Sequence, residues 1–354
     1  MSPPRSGPRS GPQFGIVLPP REGFGPGAVG AIGLLVHRLC RAGLDGVVAG
    51  RPCPDPFTDV PFRPAPLGLG LGPPARYASG VARVLRGARL VEVHNRPNVA
   101  LALGRRMPGT RIVLVLNNDP LGMRSAARAL RSVDRVVAAS HWIAGRVGVP
   151  ATVIPNCMDL PAHAPDFSGR ERLILFAGRL VSDKGADTFV DACAAALPQL
   201  PGWRAEMIGA DRFSPDSPDT PFIDALRPRA EAAGVALRGY RPHPEVMAAM
   251  NRAAVVVVPS RWEEPFGLVA LEALVAGAAL VCSRRGGLPE IADDAAAYID
   301  PERPADLADA LVALARDAGR REAMGRAGWK RAALFSAGEA VAAFRAMRAE
   351  VLAG

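Results

Sequence analysis

Short apolar runs of four to six residues recur through the first half of the chain: FGIVL near 14, DGVVAG near 45, RLVEVH near 89, RIVLVLN near 111, DRVVAAS near 134 and ATVIPN near 151. Helical patterns separate them. Runs that are continuously apolar, instead of alternating, predict strands of a parallel sheet covered on both faces. The pattern then restarts with RLILFAG near 172, WRAEMIG near 203, GVALRGY near 234, AAVVVVPS near 253, AALVCS near 278 and AAAYID near 295. Between the two sets lies PNCMDLPAHAPDFSGR, proline-containing and without periodicity, as a linker is.

The expected fold is therefore α/β, with two doubly wound, Rossmann-like parallel-sheet domains, 13–165 and 166–330, facing an interdomain cleft. Residues 1–12, within the basic, proline- and glycine-rich start MSPPRSGPRSGPQ, lack the apolar core of a secretory signal and are expected as a disordered tail. From about Arg320 to Leu352 the composition is helical, which predicts a terminal helix over 331–354 able to cross back to the first domain. In open α/β sheets ligands bind beyond the carboxyl ends of the strands. Function is thus to be sought in the loops after strands.

At 354 residues the chain is long enough for two such cores. Although 49% of residues are hydrophobic, no window approaches the 18 or so uninterrupted apolar residues of a bilayer span. Five scattered cysteines without a CxxC pair suggest neither a disulfide framework nor a zinc site, in keeping with a reducing cytoplasm. The charge is uneven: residues 1–165 hold 20 basic and 8 acidic residues, net +12, and the remainder is net −3. Such a basic half points to nucleic acid, an anionic membrane surface or an acidic substrate. With 5% aromatics and no zinc-finger or RNA-recognition motif, nucleic acid is not expected as a partner. RSAARALRSVDR sets Arg124, Arg128, Arg131 and Arg135 on one face if it is helical, and ARYASGVARVLRGAR adds Arg76, Arg83, Arg86 and Arg89. These stripes are either solvated helix faces or a peripheral contact with an anionic membrane.

The stretch REGFGPGAVG contains Gly25-x-Gly27-x-x-Gly30, the spelling of a dinucleotide fingerprint. Two details disagree: six residues, Pro19 to Phe24, separate it from its strand, and no Asp or Glu closes the next strand, which ends at Gly50-Arg51. A structural turn, a phosphate-facing loop and a dinucleotide site using Arg51 all stay open on this segment alone. In FAGRLVSDKGADTFVDA, Arg179 and Lys184 sit in a loop where Gly185 opens a helix, a setting suited to a dianionic leaving group or merely to solvent. PSRWEEPFGLVALEALVAGAAL follows an apolar strand, with a helix expected to start between Pro265 and Leu268. Glu264 precedes that helix and Glu272 falls about two turns inside it, so both can look into one cleft. A carboxylate in so apolar a helix needs a partner: sugar hydroxyls, or a nearby arginine.

Together GRLVSDKG and EPFGLVALE resemble the donor domain of retaining GT-B glycosyltransferases of family 4, whose hallmark is two glutamates separated by seven residues. PPREGFGPGAVG, EVHNRP, AASHWIAGRV, VIPNCMD and RRGGLPEIA extend the resemblance over nearly the whole chain, with Cys157 standing where an asparagine-glycine step is usual. The resemblance implies that Gly25 and Gly27 face the diphosphate and the acceptor, and that Arg179 and Lys184 hold the diphosphate. It further implies that Glu264 holds the donor sugar's hydroxyls, Glu272 the ribose, and the amides of Phe266, Gly267 and Leu268 the sugar. His94 becomes an orienting or proton-handling group. His37, His141, His163 and His243 are given no role, and nothing groups them into a metal site. No Asp-x-Asp occurs, so Arg179 and Lys184 are expected to replace a metal, with a nucleotide-diphosphate sugar as co-substrate and no other cofactor. The implied activity is glycosyl transfer with retention to a glycan or lipid-linked acceptor. A sugar-nucleotide epimerase on a similar scaffold and a non-catalytic sugar-nucleotide-binding subunit are the alternatives.

Overall fold

The computed structural model describes residues 11–26, 30–120, 122, 125–212 and 217–354. The tail expected at 1–12 therefore lies largely outside the described residues, as do Gly27 and Arg124. The chain divides into two units: the first runs to Asp159 and takes in Ser336–Gly354, and the second is Leu160–Phe335.

The first unit carries seven parallel strands: β1 (Phe14–Val17), β2 (Val47–Gly50), β3 (Phe62–Pro64), β4 (Leu90–His94), β5 (Arg111–Leu116), β6 (Arg135–Ala138) and β7 (Thr152–Val153). Their order is β3-β2-β1-β4-β5-β6-β7, so the winding reverses between β1 and β4. Every residue of β4 and all of β5 after Arg111 are buried, which is why these strands read as unbroken apolar runs. Only β3 lacks such a run. It is a three-residue edge strand with Pro61 before it and Pro64 at its end, and an edge is among the few places in a sheet where proline is tolerated.

The second unit repeats the plan with β8 (Glu171–Ala177), β9 (Arg204–Ile208), β10 (Val235–Leu237), β11 (Ala253–Val258), β12 (Ala279–Ser283) and β13 (Ala296–Ile299). The order β10-β9-β8-β11-β12-β13 reverses between β8 and β11. The loops after these two strands hold Arg179, Lys184 and Glu264.

The end of the chain is not one helix. Ala318–Ala332 belongs to the second unit, and a separate helix, Ala337–Ala353, belongs to the first. Buried Phe335 interrupts them, and Ser336 Oγ accepts from Glu339 N at 3.3 Å to start the second helix. That Ser-x-x-Glu spacing is a helix-start signal which composition alone passes over. Ala340, Val341, Phe344, Met347 and Val351 then share a core with Ile16, Val48, Leu90 and Val113.

The arginine stripes are also shorter than expected. Among the described residues of RSAARALRSVDR only Ala126–Leu130 is helical, Arg131 follows its end, and Arg135 opens β6, where it meets Glu350 at 3.4 Å. The strand pairing of Val136 and Val137 with β5 overrides the helical spacing of the arginines. Likewise Arg76 and Arg83 lie on the helix Pro73–Val84, whereas Arg86 and Arg89 fall beyond it.

Candidate functional site

In the second unit the loop after β8 is pressed against the end of β11. Ser182–Lys184 make a 3-10 turn, and Gly185 closes it in the left-handed region (φ 69°) before the helix Ala186–Ala196. Only glycine fits there, because a Cβ would lie 2.0 Å from the Pro259 carbonyl oxygen. Arg261 locks the two loops: its guanidinium reaches Asp187 Oδ1 and Oδ2 at 2.6 and 3.1 Å, Thr188 Oγ1 at 2.7 Å and the Ser182 carbonyl at 2.8 Å. Bidentate pairing of this kind fixes direction as well as energy. The amides of Arg261 and Trp262 both donate to the Asp183 carbonyl at 2.9 Å.

This scaffold holds Lys184 Nζ 2.6 Å from Glu264 Oε1, which also accepts from Ser260 Oγ at 2.8 Å. Glu264 is nearly buried and Lys184 half-buried. A third segment, Arg285 to Gly287, closes over the Glu264 backbone: Gly287 N donates to the Glu264 carbonyl at 2.6 Å and Gly286 N to Glu263 Oε2 at 2.5 Å. A Cβ on Gly286 (φ 59°) would stand 2.1 Å from the Glu264 carbonyl oxygen. Arg179 is more open. Its Nε donates to the Asp211 carbonyl at 2.7 Å and its Nη2 stands 3.8 Å from Asp211 Oδ1, with the side chain 40% exposed.

The helix after Glu264 is Leu268–Val275, starting at the last position of the expected range; Phe266 and Gly267 precede it, and Glu272 therefore lies about one turn inside it, not two. Gly267 cannot cap it with a side chain, and its carbonyl accepts from the amides of Ala270 and Leu271 at 3.0 and 3.2 Å. Phe266 is buried against Phe335, ring centroids 5.9 Å apart. Among the described residues Glu272 has no arginine partner. Its Oε1 lies 2.8 Å from Nε2 of His243, a residue without an expected role. The two are 29 positions apart, and the only local signal is that His243 opens a helix after a strand, at the carboxyl edge where ligands bind.

In the first unit His94 ends β4, wholly buried, and burial together with the Arg348 guanidinium pushes its pKa down to about 3. The ring is neutral at physiological pH, suited to orienting a group by hydrogen bonding. Asn117 Nδ2 donates to His94 Nδ1 at 3.3 Å, which leaves the ring proton on Nε2. Asn95, in the left-handed region at φ 52°, accepts from the amides of Asn117 and Asn118 at 2.7 and 3.2 Å and so ties the ends of β4 and β5 together. The unfolded imidazole takes its proton near pH 6.5 and the folded one only near 3, so between these values the unfolded state binds more protons. Stability is thus lost as pH falls. Between pH 7 and 5 the wild type should lose roughly 2 kcal/mol more than His94→Gln, read from urea unfolding at both pH values; equal losses would show that His94 does not titrate this way.

Gly25 is buried, and a Cβ there would lie 1.7 Å from the Asp55 carbonyl oxygen, a packing reason for glycine. Glu22, whose carboxyl is pushed up by burial, accepts from Gly33 N at 3.1 Å and occupies the start of the helix Ala31–Arg41. Cys157 is buried, with its carbonyl accepting from Arg38 Nη1 at 2.8 Å.

The family model "Glycosyl transferases group 1" matches residues 163–331. The chain is 34% identical over 183 residues to a D-inositol 3-phosphate glycosyltransferase of Corynebacterium kroppenstedtii, covering 51% of this chain and 39% of that protein. It is 31% identical over 175 residues to the lipopolysaccharide core biosynthesis mannosyltransferase LpsB of Rhizobium meliloti, covering 46% and 48%. The chain thus spans less than half the length of these two relatives. Among solved structures, Anabaena Alr3699/HepE in complex with UDP and glucose superposes with a TM-score of 0.75 at 18% identity, over 97% of this chain and 100% of that one, a likeness of fold. Over residues 163–331, just under half of the chain, the chain is similar to the glycosyl transferases group 1, and its fold is of the GT-B class.

Proposed function

We propose that the chain is a retaining glycosyltransferase of family 4 that moves a sugar from a nucleotide-diphosphate sugar to an acceptor in bacterial glycan or glycolipid synthesis, in the cytoplasm. The observation that carries this reading is the Lys184–Glu264 pair, held at the winding reversal of the second sheet by contacts that only glycine allows at 185 and 286. Binding by HepE of UDP and glucose, in a protein of this fold, supports the same class of ligand here.

In this reading Arg179 and Lys184 hold the diphosphate, Glu264 the hydroxyls of the donor sugar, and Glu272 the ribose. The amides of Phe266, Gly267 and Leu268 meet the sugar. As the bond from the anomeric carbon to the phosphate oxygen breaks, negative charge grows on the diphosphate, where the two cations stabilise it without a metal. The departing phosphate oxygen takes the proton of the acceptor hydroxyl, whose oxygen bonds to the same face of the sugar. Neutral His94 is read as an orienting group on the acceptor side, and Gly25 and Gly27 as part of the loop that the diphosphate and acceptor approach.

A lipid-linked acceptor suits the cations of the first unit. Arg83, Arg86 and Arg106 line a hollow of about 630 Å³ and form no ion pair with a described residue. Near anionic headgroups each basic residue contributes about 1 kcal/mol. Purified protein is to be incubated with a panel of sugar nucleotides, reading thermal shift and nucleotide release with and without an acceptor extract, EDTA and anionic vesicles. One donor should stabilise the fold and release nucleotide only with acceptor, EDTA should change little, and the protein should sediment with anionic vesicles at low salt. No shift with any donor would sink the transferase reading; no sedimentation would sink the membrane contact alone.

A further inference from the structure

We infer that His243 is a positioning residue for the ribose of the nucleotide, acting through Glu272. The inference rests on the reading of Glu272 as the ribose-binding carboxylate. His243 is the first residue of the helix His243–Arg252, and its Nε2 stands 2.8 Å from Glu272 Oε1. A carboxylate only accepts, so Nε2 carries the proton and donates. Glu272 itself projects from a helix whose neighbours Ala270, Leu271, Ala273 and Leu274 are buried, and its side chain is only 12% exposed.

The two carboxylate oxygens are not equivalent. Oε1 is engaged by His243, whereas Oε2 has no hydrogen-bond partner among the described residues and is not sealed from solvent. The terminal torsion of a glutamate is broad when nothing holds it. The His243 bond fixes the plane of the carboxylate, leaving Oε2 and the second lone pair of Oε1 to accept from two adjacent hydroxyls. Vicinal 2′- and 3′-hydroxyls of a ribose present that pair of donors, and a 2′-deoxyribose presents one. His243 is therefore placed to set the preference for ribonucleotide donors. A purely structural His–Glu contact would instead join two helices with no regard to the sugar.

The test uses the full-length chain and calorimetric titration with ADP, GDP, UDP and CDP, followed by the 2′-deoxy form of whichever binds best. The wild type should prefer the ribonucleotide by on the order of tenfold or more, the worth of a hydrogen bond to a charged group. His243→Ala should lose most of that preference, with ribonucleotide affinity falling about tenfold and 2′-deoxy affinity changing little. His243→Gln, whose amide can donate from a similar position, should restore it, and Glu272→Ala should abolish it. An unchanged preference in His243→Ala, or an equal fall for both nucleotides, overturns the positioning role. If the wild type binds none of the four, the donor reading itself fails, and this inference with it.

Discussion

Lys184→Ala is expected to lower kcat by a factor on the order of 10² to 10³, as loss of a single preorganised charge contact to a transition state does. The effect has two sources. The ammonium that would meet the leaving diphosphate is gone, and Glu264 loses the cation 2.6 Å from its Oε1. Ser260 Oγ, at 2.8 Å, then remains as its hydrogen-bond donor, so a nearly buried carboxylate is left charged close to where a second negative charge must develop. Arg179→Ala should cost less, because that guanidinium is 40% exposed and its Nε is tethered to the Asp211 carbonyl. Steady-state kcat and KM with the donor found by the panel check this, with thermal melting as the control for folding. KM should move less than kcat, since the charge builds in the transition state. Wild-type kcat in Lys184→Ala would remove this residue from the reaction.

Strand positions were legible in the sequence wherever a strand is buried on both faces, because the signal is then local and continuous. RIVLVL and AAVVVV announce themselves; Phe62–Pro64 does not, since an edge strand needs no apolar run and its prolines argue against it. The break before Ser336 was written in the sequence as a capping spacing but is masked by helix-favouring residues on either side. The candidate site divides in the same way. Glu264 could be singled out because it follows a strand and precedes an apolar helix. Its pairing with Lys184, 80 positions away, depends on β8 and β11 being neighbours, which is a property of sheet order. His243 escaped because its contact with Glu272 joins the helices before and after β11, and the packing role of Gly25 because the Asp55 carbonyl imposes it from another loop.

Replacing Arg348 or Glu92 singly by alanine is expected to destabilise the first unit by about 3–5 kcal/mol, the range for breaking a buried ion pair. Arg348 lies on the C-terminal helix Ala337–Ala353 and Glu92 on β4, at the middle of the first sheet. Both are almost wholly buried, and the contact is bidentate: Nε to Oε1 at 2.9 Å and Nη2 to Oε2 at 2.7 Å. Nη1 donates to the Asp45 carbonyl at 2.6 Å, and the guanidinium stands 4.4 Å from the centre of the Phe14 ring. Either single substitution strands the opposite charge in an apolar interior, where no water replaces the lost partner. The pair itself is a different matter, because desolvating two ions offsets much of their attraction. Glu92→Leu with Arg348→Met removes both charges and keeps most of the volume, so the double variant should be more stable than either alanine variant. Urea unfolding of the three variants and the wild type measures this directly. A double variant no more stable than the singles would assign the loss to packing of the terminal helix, and not to an unpaired buried charge.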